Sequence, residues 1–243
     1  MAIRPTSQAT RRTALIAGAL LITATVASLI GAALSRPALD APDYLTSVSA
    51  HADRIAAAAL FELVAAGASV GIAISLYRAL MAWGATVALG SVVFRAIEAV
   101  MYVIGVAILL AVLALGERFT TAGAAESAWF RTVGDTLLQL RDQTGLIAVF
   151  SFGVGALLYY SLFYRSRLVP RWLSVWGIVA IILTFVACLL ALFTRNAVTS
   201  YTIVLLPIAV QEMVLAVWLI AKGFEVPGAP AMRALDREPI PVG

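Results

Sequence analysis

Four charged side chains sit inside otherwise apolar runs: Glu62, Arg95, Glu98 and Glu212, with Gln211 beside the last. Carboxyls in such surroundings have few uses. One that stays neutral can donate a proton to an apolar substrate, one that gains and loses a proton can carry it, and one bonded to a neighbour can strut two helices together. A charged group in the middle of a bilayer costs roughly 2.5–3.5 kcal/mol on insertion scales. These groups are therefore expected to face the interior of a helix bundle and to find one another. Arg95 and Glu98 stand three residues apart, which places them as neighbours on one helix face and predicts a direct pair; Arg95 can equally reach Glu212. Taken together, three carboxyls face one guanidinium. At least one of Glu62, Glu98 and Glu212 is then expected to hold its proton at neutral pH. Pro207, five residues before Glu212, removes the helical donor to the carbonyl of Ile203 and predicts a kink that opens space near Gln211 and Glu212.

The elements that must position these groups follow from composition. Of 243 residues, 62% are hydrophobic and only 12% charged, with a mean hydropathy of +0.98. A soluble domain carries about twice that charged fraction, so the natural solvent is a bilayer. The net charge of +4 does not indicate nucleic acid, because the basic residues fall between apolar runs rather than in one patch. A spanning helix needs about 20 apolar residues. Six runs qualify: Thr13–Leu34, Ile55–Tyr77, roughly Trp83–Leu115, Gly145–Tyr164, Trp172–Phe193 and Tyr201–Ala221. The third would be about 50 Å long as a straight helix, against about 30 Å of hydrocarbon. It must tilt, project, or begin as an interfacial segment around 81–88. The first run follows Arg11 and Arg12 but exceeds the ~7–15 residues of a signal-peptide core, and it reads as a retained helix. Helical rise alone puts Glu62, Arg95, Glu98 and Glu212 in one slab about 10 Å thick.

Arginine sets the orientation. Arg4, Arg11, Arg12, Arg78, Arg165, Arg167, Arg171 and Lys222 lie in connections that, up to Lys222, hold no acid. Arg36, Arg54, Arg118, Arg131, Arg141 and Arg195 share the opposite connections with Asp40, Asp43, Asp53, Glu117, Glu126, Asp135 and Asp142. The first set is denser in positive charge and is expected to be cytoplasmic. Trp83, Trp172, Trp176 and Trp218 fall near the same ends, where an indole prefers the interface. The expected organisation is a cytoplasmic N-terminus over 1–12, a six-transmembrane-helix domain over 13–224 and a disordered cytoplasmic tail over 225–243. The fold class is all-α: an integral membrane six-helix bundle with both termini cytoplasmic and, over 126–140, a short amphipathic helix on the outer surface. Trp129, Val133, Leu137 and Leu140 give that helix its period. Residues 35–54 read as a polar outer loop, and His51 in it as a solvated side chain. Cys188 reads as a small buried hydrophobe. Gly67 and Gly71 form a G-x-x-x-G pair, and Gly153 and Gly155 open one side of the fourth span to a close neighbour.

Three stretches, VVFRAIEAV at 92–100, YRSRLVPRWLSVWG at 164–177 and LPIAVQEMVLAVWLIAKGF at 206–224, together resemble the bacterial multi-pass membrane family known as domain of unknown function 4386. The resemblance runs from about Arg12 to Phe224. It implies the helical membrane fold, includes Arg95, Glu98 and Glu212 in the family pattern and puts a glutamate near Glu62. It implies no settled biochemical role.

Among functions, the residues exclude a P-loop, a dinucleotide fingerprint and a histidine-bound haem within a span. Three readings remain open. One is an integral membrane enzyme of the bacterial inner (plasma) membrane, using intramembrane glutamates for acid catalysis on a lipid or isoprenoid substrate, as a membrane terpene cyclase-like activity would. Glu62, Glu98 and Glu212 are its catalytic candidates, and Arg95, Tyr102 and Gln211 its substrate-binding candidates. The second is a proton-coupled small-molecule transporter, and the third a non-catalytic membrane partner or sensor. No metal or other cofactor is called for. The partners expected are membrane lipids, an apolar small molecule and a second copy of the chain, with no nucleic acid. Arg165, Arg167 and Arg171 either fix topology or hold an anionic head group.

Overall fold

The computed structural model describes residues 7–121 and 127–225, and these form helices and connecting turns without strands. Helix α1 covers Ser7–Leu39, the short α2 Tyr44–Ala50, α3 Ala52–Phe119, α4 Ser127–Ser166 and α5 Arg171–Thr194. A 3-10 turn over Val198–Tyr201 leads into α6, Thr202–Ala221. Five stretches, in α1, α3, α4, α5 and the segment ending in α6, are long and apolar enough to cross a membrane. Leu29, Leu60, Phe193 and Ile203 project outward from these helices, exposed. In water such side chains would be a liability, whereas in lipid they are the solvent-facing surface.

Helix α3 has 68 residues, and a straight helix of that length would be about 100 Å long. It is not straight. The backbone leaves the helical region at Gly84, with φ 164° and ψ 82°, inside the 81–88 stretch where an interfacial start was one of three ways, beside tilting and projecting, to fit the long third run. The two arms fold back on each other, for Ser69 of the first arm donates a hydrogen bond to Glu98 of the second at 2.9 Å. Seven residues outward from that contact on each arm, Glu62 lies opposite Gly105.

Neighbouring helices then run antiparallel. A Cβ placed on Gly105 would sit 3.4 Å from Thr144 Oγ1, and one on Gly155 would sit 3.1 Å from the Arg95 stem. As α3 descends, α4 ascends. Gly153 faces Phe185 and Gly177 faces Tyr160, which repeats the relation between α4 and α5. Of the expected G-x-x-x-G pair, Gly71 packs against Leu20 of α1, whereas a Cβ on Gly67 would meet nothing within 4 Å. Only half of that motif makes a helix contact. The main core is built from α1, α3, α4, α5 and α6 around Tyr159, Tyr160, Phe163 and Leu173. Arg11 Nη2 bonds the carbonyl of Ile220 at 2.8 Å, so the start of α1 and the end of α6 meet at one end of the molecule. Trp172 stacks on Trp176 and meets Trp218 edge-on.

Two expectations are revised. The amphipathic stretch is not a separate helix: α4 is continuous over its 40 residues, because the sequence between Gly134 and Gly145 has neither proline nor glycine to end it. The outer loop is partly ordered. Tyr44 donates to Asp135 at 2.8 Å and Arg131 pairs with Asp43 at 2.9 Å, which clamps α2 to the start of α4. Burial, and next the carboxylate it donates to, push the Tyr44 phenol above its usual range. His51 ends α2 and bonds the carbonyl of Ser47 through Nδ1 at 2.9 Å. Cys188 is buried. Residues 226–243 of the expected tail, Arg4 and Glu126 lie outside the described residues.

Candidate functional site

The intramembrane charges occupy two sites at two depths. The first is closed. Arg95 and Glu98 share a face of the second arm of α3, and Arg95 Nη1 lies 3.1 Å from Glu98 Oε2. Both residues are buried. The carboxylate also accepts from Ser69, so the pair joins the two arms. The guanidinium carbon lies 4.9 Å from the Phe152 ring centroid on α4, a favourable place for a cation. Gly155 is what lets α4 come this close, since any side chain there would press on Arg95 Cγ at 3.1 Å and on the Ser91 carbonyl at 3.3 Å. The Nε of Arg95 has no hydrogen-bond partner.

Glu212, on α6, reaches this group from the far side. It lies within electrostatic range of Arg95, as do Tyr159 and Tyr102, but among the described residues its hydrogen bond is the one it accepts from Tyr159 at 3.3 Å. Its neighbour Gln211 is fully buried. That amide accepts from Tyr160 and donates to the carbonyl of Leu173 at 3.1 Å. Both ends of Gln211 are thus occupied by protein groups, and the side chain ties α4, α5 and α6 together. Pro207 lies inside an unbroken α6. The space expected near Gln211 is filled by Tyr160.

The second site is open. Glu62 does not join Arg95. It pairs with Arg141 of α4, Nη2 to Oε1 at 2.5 Å. Helical rise over the seven residues separating it from Ser69 puts it about 10 Å beyond the level of Glu98. The charge count therefore becomes three acids to two bases, and Arg95 is not the lone base. Glu62 and Arg141 line a cavity of about 480 Å³ whose walls also include Arg36, Asp40, Tyr102 and Asp142. Apolar Ala32, Leu39, Met101, Leu138 and Val198 complete it. Its volume lies in the range of roughly 300–1,000 Å³ usual for small-molecule sites. A Cβ on Gly145, at its edge, would meet nothing within 4 Å. One wall comes from residues 197–200, which the left-handed Arg195 (φ 57°) at the end of α5 turns back toward α1.

Of the six residues singled out in the sequence, Arg95, Glu98 and Glu212 come together in the closed site, with Gln211 adjoining. Glu62 lines the cavity, and Tyr102 belongs to both. It lines the cavity, and it lies within electrostatic range of Glu98, Arg95, Glu62 and Glu212. The sequence reading missed Arg141, Asp142 and Asp40 as site residues because it assigned all three to solvated outer connections. The signal was present: the apolar period of Trp129, Val133, Leu137 and Leu140 continues without a breaker into Thr144 and Ala148.

A helical protein of multi-pass membrane type, with a polar cavity at one level and a closed ionic centre at another, is the class these features define. The family model described as domain of unknown function 4386 matches residues 16–223, most of the chain, and the chain belongs to that family. No curated protein and no solved structure matches it.

Proposed function

We propose that this protein crosses the membrane six times, the two arms of α3 each forming one span, and that its cavity takes an amphiphilic small molecule of lipid or isoprenoid type. The observation that carries this is the cavity of about 480 Å³ with the Glu62–Arg141 pair in its wall. Its lining combines charged and other polar side chains with apolar ones, which suits a polar head held near Arg141 and an apolar body along Leu39, Met101 and Leu138. The arginine-rich connections support a cytoplasmic location for both termini, in a bacterial inner membrane.

Acid catalysis has less support than binding. Glu62 is the glutamate with room for a substrate beside it, but its Oε1 is already engaged by the Arg141 guanidinium at 2.5 Å. Glu98 and Glu212 are engaged by Arg95, Ser69 and Tyr159, away from the cavity. Glu62 and Arg141 are therefore read as recognition groups.

The test is to purify the protein in a mild detergent and identify co-purifying amphiphiles by native mass spectrometry and lipid extraction. A defined species should accompany the native chain and be lost in Gly145→Leu, whose side chain would fill open space. Identical lipid profiles for the two chains, both folded, would overturn the reading.

A further inference from the structure

We infer that the closed centre formed by Arg95, Glu98 and Glu212 is a proton-carrying site, with its proton on Glu212, and that it exchanges that proton through Tyr102 and the cavity. The inference depends on where the cavity lies, not on what fills it.

Glu98 has a guanidinium at 3.1 Å and the Ser69 hydroxyl at 2.9 Å, and both favour its carboxylate. Glu212 has the Tyr159 hydroxyl at 3.3 Å, with Arg95 already turned to Glu98. Two ionised carboxylates on one guanidinium would leave a net negative charge among buried aromatic rings, where hydrocarbon penalises it most. One proton on Glu212 makes the centre neutral. The neutral acid keeps an oxygen to accept from Tyr159, and its own O–H points a donor into the group.

The titratable and charged groups facing Glu212 come from each neighbouring element that carries any: Arg95, Glu98 and Tyr102 from α3, and Tyr159 and Tyr160 from α4. Among them Tyr102 has the place of a relay. It stands one helical turn beyond Glu98 on the same face, and it lines the cavity beside Glu62. A proton arriving from the cavity can pass by the Tyr102 hydroxyl to Glu98. The Glu212 proton leaves by the same route in reverse: it passes to Glu98 as Arg95 turns to the Glu212 carboxylate so formed, and Glu98 releases it past the Tyr102 hydroxyl to the cavity. Charge is conserved at each step, and the guanidinium follows the negative charge. Any occupant of the cavity that contacts Tyr102 is thereby linked to proton uptake, the property a proton-coupled carrier requires.

Infrared spectroscopy of the full chain in lipid nanodiscs tests this directly. The native protein at neutral pH should show the C=O stretch of a protonated carboxylic acid in apolar surroundings. The band should vanish in Glu212→Gln and persist in Glu62→Gln and Asp142→Asn. Glutamine is the isostere of a neutral glutamic acid, so Glu212→Gln should accumulate and unfold like the native chain. A variant that fails to fold overturns the proposal, as does a band that is absent from the native protein or survives the substitution. In deuterium oxide the band should shift, and Tyr102→Phe should slow that shift. Equal exchange rates in the two chains would exclude Tyr102 as the route.

Discussion

With Glu212 already replaced by glutamine, replacing Glu98 by glutamine as well should strand a buried cation. Arg95 is 3% exposed, its Nη1 lies 3.1 Å from Glu98 Oε2, and its Nε has no hydrogen-bond partner. Glutamine preserves the shape and can still accept from Ser69, so the change removes charge and little else. At 3.1 Å and an effective dielectric constant of about 20, the lost attraction is about 5 kcal/mol. Removing one partner of a buried pair costs about 3–5 kcal/mol in measured cases. The Phe152 ring already faces Arg95 in the native protein and cannot make up the loss. In that Glu212→Gln background, Glu98→Gln should therefore lower the unfolding free energy by about 3–5 kcal/mol. Unfolding in mixed micelles of rising dodecyl sulfate fraction, followed by helical circular dichroism, measures it. Adding Arg95→Met should recover most of the loss, since no charge is then left unpaired. A loss within about 1 kcal/mol of the Glu212→Gln chain, with no recovery on adding Arg95→Met, would refute the reasoning.

Gly155→Val should lose about 1–3 kcal/mol in the same assay, since its side chain would press on Arg95 and on the Ser91 carbonyl. Gly67→Ala should gain about 0.5–1 kcal/mol, because its Cβ meets nothing and alanine holds a helix better. A loss at Gly67 would show a contact that the helix packing does not contain. Tyr44→Phe should loosen the clamp on α2 by about 1 kcal/mol, the order of one hydrogen bond at a wet end of the molecule. The native Tyr44 phenol is raised, so its contribution is complete below the ordinary tyrosine value of 10.0 and fades only as pH climbs through the higher native value. Ultraviolet difference titration of the native chain against Tyr44→Phe should accordingly show no phenolate signal from this residue as pH passes 10.0.

How far the sequence reached depended on whether the deciding force was local. The apolar runs gave the long helices to within a few residues at most ends, because hydrocarbon length and helical rise are properties of a segment by itself. The Arg95–Glu98 pair was legible for the same reason: three residues on one helix fix a distance wherever the helix goes. Glu62 was misplaced because depth estimated from span centres assumed that each span is a separate rod. The break at Gly84 and the Ser69–Glu98 contact set the register of the two arms instead, and that register carries Glu62 one level away. Arg141 was read as a loop residue because its charge outweighed the unbroken helical period around it. Long-range pairing is written in two distant segments at once, and neither shows it alone.

That register also explains why the two ionic sites do not merge. Glu62 and Ser69 ride on the first arm of α3, and Arg95, Glu98 and Tyr102 on the second. Glu98 is fixed to the first arm through Ser69, and Glu62 is fixed to α4 through Arg141. In the proposed exchange Arg95 turns toward Glu212 beside Gly155, where no Cβ presses on its stem. Moving Arg141 from Glu62 would instead leave a carboxylate facing the cavity alone. The closed centre can thus change its pairing while the helices hold still, and the cavity pair cannot. A substitution at Glu62 should act on what the cavity binds, and one at Glu212 on the proton. Only Tyr102, which lines the cavity one turn from Glu98, should affect both. Binding of the co-purified amphiphile to Tyr102→Phe, measured across pH, should lose its pH dependence while Glu62→Gln loses affinity at every pH. A variant pair with the opposite pattern would place the proton in the cavity and not in the closed centre.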